Sequence, residues 1–569
     1  MRLFYFPFKQ YLICKIKKRG DKHMLVKRNN CNTVWDVIQT NTGLTEDEYL
    51  NPNKKPYIKN LKEAVKLLKD IIFDNPDIKV RIIGDYDADG IDATYILFRG
   101  LITKYPELDV KWRLPHRFSE GYGLSTSIVD ELNLENDVII TVDNGIAAID
   151  AIKKAKDNNN TVIVIDHHLP MTYEGKIVLP NADIIVDPEA EEESEYAYYC
   201  GAGLAYRFVC ELLEVAEIPE LLVNATIGTV ADVMPITKTN WALVKSGLKY
   251  LEERNCNKNL AKLCDDAKIT GPLQADDIGF KLGPIFNASG RLYDNGAERV
   301  LETLLSPETD GLVPFKIKGL IDTNTQRKQT ERKIMEKVEI TERPIVLYIP
   351  NISEGLVGII AGRLCEKYYC PTIVFTNNDE KGILKGSGRS IPEIHLKDTL
   401  DKIQSKMLGY GGHAQAAGLA ILPSNFEIFK SAFKMACGEI PDKDTNSYYD
   451  LYITEDDVPK MVEDLKKYAP FGEGNPMPIF RMTCNLDGEY RRIGEDKSHF
   501  MVKTKGKMKI DPVNKTIKKT EDITYFGFGM ANDYEKNGCP KSVDAIVRVR
   551  ENIFNGKKSY NVEIVDAVS

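Results

Sequence analysis

At 569 residues the chain is too long for one hydrophobic core and calls for about three or four domains. A composition of 43% hydrophobic and 28% charged residues excludes a disordered or fibrous chain, and no apolar run nears the roughly twenty residues that cross a bilayer. The net charge of −8 argues against indiscriminate nucleic-acid binding but leaves room for a local basic groove, and the eleven cysteines form no CxxC pair, which fits reduced thiols in a cytoplasmic protein.

Residues 1–60 form an N-terminal segment. The first 23 mix aromatic and basic residues without the order of a signal peptide, and Lys18 to His23 reads like a translated ribosome-binding site, so translation is expected to start at Met24. From Leu61 the spacing of Leu61, Ala64, Val65 and Leu68 predicts an amphipathic helix. Three β-branched runs follow, each leading into aspartate: Val80 to Gly84 into Asp85-Tyr86-Asp87-Ala88-Asp89-Gly90, Val138 to Val142 into Asp143-Asn144-Gly145, and Val162 to Ile165 into Asp166-His167-His168. Alternation with helical stretches predicts an α/β fold, a doubly wound parallel sheet over 61–240.

Helical spacing dominates 241–340 and ends in a charged run, Lys316 to Lys337, expected as one long connecting helix. A smaller α/β domain spans 341–441, with a strand at Pro344 to Ile349, a helix at Val357 to Lys367, a strand at Thr372 to Phe375, and two glycine-rich loops, Lys385 to Ser390 and Gly411-Gly412-His413. Short β-like runs near 478–484, 498–503, 523–528, 542–549 and 559–565 predict a C-terminal OB-like β-barrel over 442–569. Two charge concentrations stand out: Glu189, Glu191, Glu192, Glu193 and Glu195 in one loop, and Lys503, Lys505, Lys507, Lys509, Lys515, Lys518 and Lys519 in another stretch.

Ligands of open α/β sheets bind beyond the carboxyl ends of the strands, where these aspartates and histidines would gather. So much like charge calls for cations. Asp85, Asp87 and Asp89 alternate, so on an extended segment all three would point one way. With Asp143, Asp166, His167, His168 and Asp232 they form a carboxylate and imidazole set that suits Mn²⁺, with Mg²⁺ as a substitute. Two ions about 3.5–4 Å apart would activate a water and clamp both oxygens of an in-line phosphoryl displacement.

These motifs, with Gly228-Thr229-Val230-Ala231-Asp232, resemble those of the DHH phosphoesterase superfamily and, within it, the RecJ family of single-strand-specific exonucleases. Pro115-His116-Arg117 with Glu120 to Leu124, Pro284 to Arg291, Gly355 to Leu364, Gly386 to Ser390, Gly411 to Gly418 and Pro470 to Pro476 are similar to further blocks of that family in its order. The resemblance implies that Asp87 and Asp89 bind different metals, that Asp143 bridges them, that His167 and Asp232 complete the second site and that Asp85 completes the first. It implies catalytic roles for His168, at the scissile phosphate or a metal, and Asp166, orienting an imidazole. Arg117, Asn287, Arg291, Ser387, Arg389 and His413 would bind substrate. Asn240-Trp241 departs from the family's Asn-Arg, and the lysine-rich stretch Thr504 to Thr520 has no counterpart in its pattern.

The implied function is 5′ to 3′ degradation of single-stranded DNA to 5′-mononucleotides in recombination and repair; a monomer is the default for a chain with its own track, and a helicase and a single-strand-binding protein are candidate partners. Polarity follows from the resemblance and not from any spacing. Two other functions compete: a phosphodiesterase for short oligoribonucleotides, whose relatives stop before a tail such as Lys443 onward, and a non-cleaving single-strand-binding scaffold, which predicts lost ligands where none is lost. Phe526, Phe528 and Phe554 are candidates for stacking bases in the barrel, and His499 shares their ambiguity, although aromatic residues in strands more often face the core.

Overall fold

The structure, a computed structural model, describes residues 16–17, 24–173, 175–190, 194–196, 198–378, 382–494, 496–510, 517–554 and 557–568. The chain divides into two compact units, 53–442 and a second built from residues up to 52 together with those from 443 onward.

The larger unit begins with a five-stranded, all-parallel sheet in the order Asp109–Arg113, Lys79–Ile83, Val138–Val142, Thr161–Ile165, Ile184–Val186. Its central strand Val138–Val142 is buried at every position, as a sheet covered on both faces requires. Helices Thr126–Leu132 and Ile149–Asp157 share one core with Ile139, Val162 and Val164. Helix Ala88–Lys104 is buried without a break from Ala88 to Leu97 and packs between helices Gly201–Leu213 and Pro219–Ala231. Strand order reverses between Lys79–Ile83 and Val138–Val142, and this reversal opens the crevice in which such sheets bind ligands.

Helices fill the span to Lys337, the last being the expected connector, Val313–Lys337. It is less exposed than its charge suggests, because Asn324, Arg327 and Glu331 are buried: Arg327 donates to both partners and Arg363 pairs with Glu331. A second, mixed sheet follows in the order Ile345–Tyr348, Thr372–Asn378, Ile383–Arg389, Ala416–Ile421, Gly409–Gly412. The glycine-rich stretches expected as loops are therefore strands. At Gly386 close packing requires glycine, since a Cβ there would stand 2.5 Å from the Phe375 ring.

In the smaller unit, strand Leu25–Lys27 pairs in parallel with Ser447–Tyr449, and Trp35, Tyr49 and Tyr468 pack ring against ring. Tyr49 Oη donates to the Tyr468 carbonyl at 2.6 Å. Its main sheet runs Leu451–Tyr452, Phe480–Asn485, Ser542–Phe554, Lys557–Val568, Ile523–Gly527, His499–Thr504, Glu489–Ile493, with Ile16–Lys17 added beside Lys557–Val568.

Candidate metal centre and phosphate contacts

Parallel register brings the strand ends level: the amide of Gly84 donates to the Arg113 carbonyl, that of Asp143 to Ile165, and that of Asp166 to Val186. Asp85 and Asp143 thereby flank the point where strand order reverses. The first motif does not stay extended, as the alternation of its aspartates suggested. Asp87 caps helix Ala88–Lys104, its Oδ1 accepting the amides of Asp89 at 3.0 Å and Gly90 at 3.2 Å. Asp89 consequently lies in the first helical turn and faces other partners, accepting the Gly201 and Ala202 amides at 2.7 and 2.9 Å at the start of helix Gly201–Leu213. Asp143 takes a left-handed backbone (φ 60°) that aspartate tolerates, and Tyr122 Oη donates to its carbonyl at 2.6 Å.

Three sets of possible ligands result, each with its ligand atoms within 4.8 Å of one another: Asp85, Asp87 and Asp143; Asp89, His167 and Asp232; Asp143, His167 and His168. His167 Nε2 lies 3.0 Å from Asp143 Oδ1, 3.7 Å from Asp89 Oδ2 and 3.8 Å from Asp232 Oδ2. Burial, then neighbouring carboxylates, push Asp85, Asp143 and Asp232 well above the ordinary aspartate range. Burial, aided by the charge of His168, lowers His167 to about 4. His168 goes the other way: burial opposes its charge, but Asp166, 2.7 Å from its Nδ1, raises it to about 9. Asp166 itself is held low, burial being outweighed by these imidazoles and by the Ile146 amide. Crowded buried carboxylates beside a neutral imidazole form a donor set that fits hard divalent cations, Mn²⁺ or Mg²⁺.

Arginines adjoin this centre. The Arg117 guanidinium lies 4.3 Å above the Tyr86 ring. Arg291, in the last turn of helix Gly283–Leu292, donates to the Gly355 carbonyl at 3.3 Å; burial, with Arg117 and Arg327 nearby, pushes it down to about 9, so it stays cationic at neutral pH. On strand Ile383–Arg389, Arg389 donates to Ser387 Oγ at 3.1 Å and contributes to the positive field at Arg291. Asn287 is partly committed, its Oδ1 accepting the Ala88 amide at 3.0 Å, which leaves its Nδ2 to offer a substrate. His413 is exposed at the turn between Gly409–Gly412 and Ala416–Ile421.

Residues 79–231 match the DHH family N-terminal domain, 342–439 the DHHA1 domain and 449–566 the RecJ OB domain. The single-stranded-DNA-specific exonuclease RecJ of Haemophilus influenzae is 32% identical over 497 residues, which are 79% of this chain and 81% of that one. The chain belongs to the RecJ family. Two solved structures of RecJ from Thermus thermophilus resemble it over 94% of its length: the complex with Mn²⁺ has a TM-score of 0.76 at 27% identity and the complex with Mg²⁺ 0.70 at 26%, covering 76% and 74% of those chains. The expected RecJ fold class, parallel-sheet DHH domain, DHH-associated domain and OB domain, is thus found.

Asp187 escaped the sequence reading. It follows the three-residue strand Ile184–Val186, a run too short to stand out, and is buried at the same sheet edge, where desolvation and the charge of Asp166 push it up to about 8. Trp241, where the RecJ pattern has arginine, is buried, and Lys245 Nζ lies 4.2 Å over its ring. In the OB domain the core preference fails for Phe528, which is exposed; its ring stacks on partly buried Phe526 at 6.2 Å, and His499 meets it edge-on at 5.4 Å. Lys503, Lys505 and Lys507 are exposed. Glu191 to Glu193, Lys515, the side chains of Lys509, Lys518, Lys519 and Phe554, and the first 23 residues apart from the backbone of Ile16–Lys17 lie outside the described residues.

Proposed function

We propose that the chain is a Mn²⁺- or Mg²⁺-dependent exonuclease that degrades single-stranded DNA from its 5′ end to 5′-mononucleotides in recombination and repair. The observation that carries this reading is the gathering of six possible ligands, Asp85, Asp87, Asp89, Asp143, His167 and Asp232, in two overlapping groups with cationic side chains beside them. Asp85, Asp87 and Asp143 would hold one ion and Asp89, His167 and Asp232 the other, with Asp143 shared. When bound, two such ions supply an activated water and charge stabilisation for both oxygens of an in-line displacement.

The protein's own groups divide the remaining work. His167, lowered to about 4, is neutral at pH 7 and keeps a ring lone pair for ligation. His168, whose Nδ1 lies 2.7 Å from Asp166 Oδ1, would offer its other ring nitrogen to a scissile phosphate oxygen. Asp166, fixed by the Ile146 and His167 amides, holds that ring in place. Arg117, Arg291 and Arg389, with Ser387, His413 and the Nδ2 of Asn287, would grip the phosphates of the strand. In this reading the chain works as a monomer in the cytoplasm, on strands delivered by a helicase and a single-strand-binding protein. Among the described residues no helix is long and apolar enough to cross a membrane.

Digestion of a long single-stranded DNA with distinct labels at its two ends, in Mn²⁺ and in EDTA, beside the blunt duplex and an RNA strand, tests the reading. Metal-dependent release of mononucleotides from the 5′ end of the single strand alone is expected. Release from the 3′ end overturns the polarity, and binding without cleavage favours a scaffold.

A further inference from the structure

Strand Asp109–Arg113 leaves the sheet into a turn that carries Arg117. The base of this turn is held from within, because Glu120 accepts the His116 amide at 2.6 Å and pairs with Arg113 at 2.6 Å. Its tip is held from outside by Asp294, two positions beyond helix Gly283–Leu292. Asp294 Oδ1 accepts the amides of Phe118 at 2.6 Å and Ser119 at 3.2 Å, and Oδ2 accepts the Ser119 hydroxyl at 2.6 Å. Its main-chain carbonyl accepts the Arg117 amide at 3.2 Å. Three consecutive residues, starting with Arg117, thus donate to one aspartate. Partial burial opposes ionisation, yet the bonds from Ser119 and Phe118 hold the Asp294 carboxyl below its ordinary range, so it meets these donors as a carboxylate.

The helix that ends just before Asp294 delivers Arg291 and, through Asn287, touches the amide beside Asp87. We propose that Asp294 is a positioning residue for substrate phosphate: by clasping the 117–119 turn it sets Arg117 over Tyr86 and registers that guanidinium against Arg291. The inference rests on the assignment of Arg117 as a phosphate contact made above.

A double-mutant cycle separates this role from general structural support. Asp294→Ala is expected to lower kcat/KM on single-stranded DNA by between about 10- and 100-fold, the range that a misplaced positioning group gives. In an Arg117→Ala background the same change should cost nothing further. Asp294→Asn keeps an acceptor for the two amides and should retain most activity, and thermal melting of each variant reports folding. An Asp294→Ala enzyme as active as the parent, or a loss repeated in full in the Arg117→Ala background, overturns the proposal. If Arg117→Ala alone is fully active, the phosphate assignment itself fails, a different result.

Discussion

Asp143→Ala is expected to abolish hydrolysis of single-stranded DNA, by at least roughly 10³-fold, while leaving strand binding nearly intact. Asp143 belongs to the ligand set with Asp85 and Asp87 and stands 3.0 Å from His167 of the other, so on the proposed assignment its loss would open both ion sites at once. A two-ion centre contributes several kcal/mol of charge stabilisation, each 1.36 kcal/mol being about tenfold in rate. Burial and the carboxylates of Asp89 and Asp87 already push Asp143 well above its ordinary range, so the variant removes a repelled buried group and should fold as well as the parent. Cleavage rates in Mn²⁺ and fluorescence anisotropy with a labelled strand, on the same preparation, check both halves. An active variant would remove Asp143 from the shared position.

Gly201→Ala tests the centre from a residue that binds nothing itself. Its amide donates to Asp89 at 2.7 Å, and a Cβ there would lie 2.4 Å from the Asp143 Cβ and 2.7 Å from Asp143 Oδ1. The added methyl cannot be accommodated without moving either the helix start that holds Asp89 or the Asp143 side chain. Mn²⁺ affinity should fall by about 10- to 100-fold, as for other losses of ligand support. Activity should follow and return in part at high Mn²⁺, which a Mn²⁺ titration by calorimetry and a matching activity series would show. Unchanged affinity would mean that Asp143 has room the packing does not suggest.

The fold was legible where hydrophobic pattern and turn chemistry agree. The β-branched runs that lead into aspartate became Lys79–Ile83, Val138–Val142 and Thr161–Ile165, and the charged run became helix Val313–Lys337. Periodicity could not show that Asp87 would cap a helix and turn Asp89 away from it, because capping competes with extension at the same residues. Nor could it show glycines inside strands, since the reason for Gly386 is a ring from a neighbouring strand. The pairing of Leu25–Lys27 with Ser447–Tyr449 joins segments more than four hundred residues apart, and nothing local marks either as the other's partner. Of the candidate site, Asp85, Asp143, Asp166, His167 and His168 were legible as residue types just beyond strand ends. Asp294 was not, because its work is done by contacts to a turn that lies far away in sequence.

The most direct test of the account is a crystal structure of the chain grown with Mn²⁺ and recorded at the manganese absorption edge. Two anomalous peaks are predicted, one contacted by Asp85, Asp87 and Asp143 and one by Asp89, His167, Asp232 and Asp143. A single peak, or peaks away from Asp143, would contradict the shared two-ion centre on which the proposed chemistry stands.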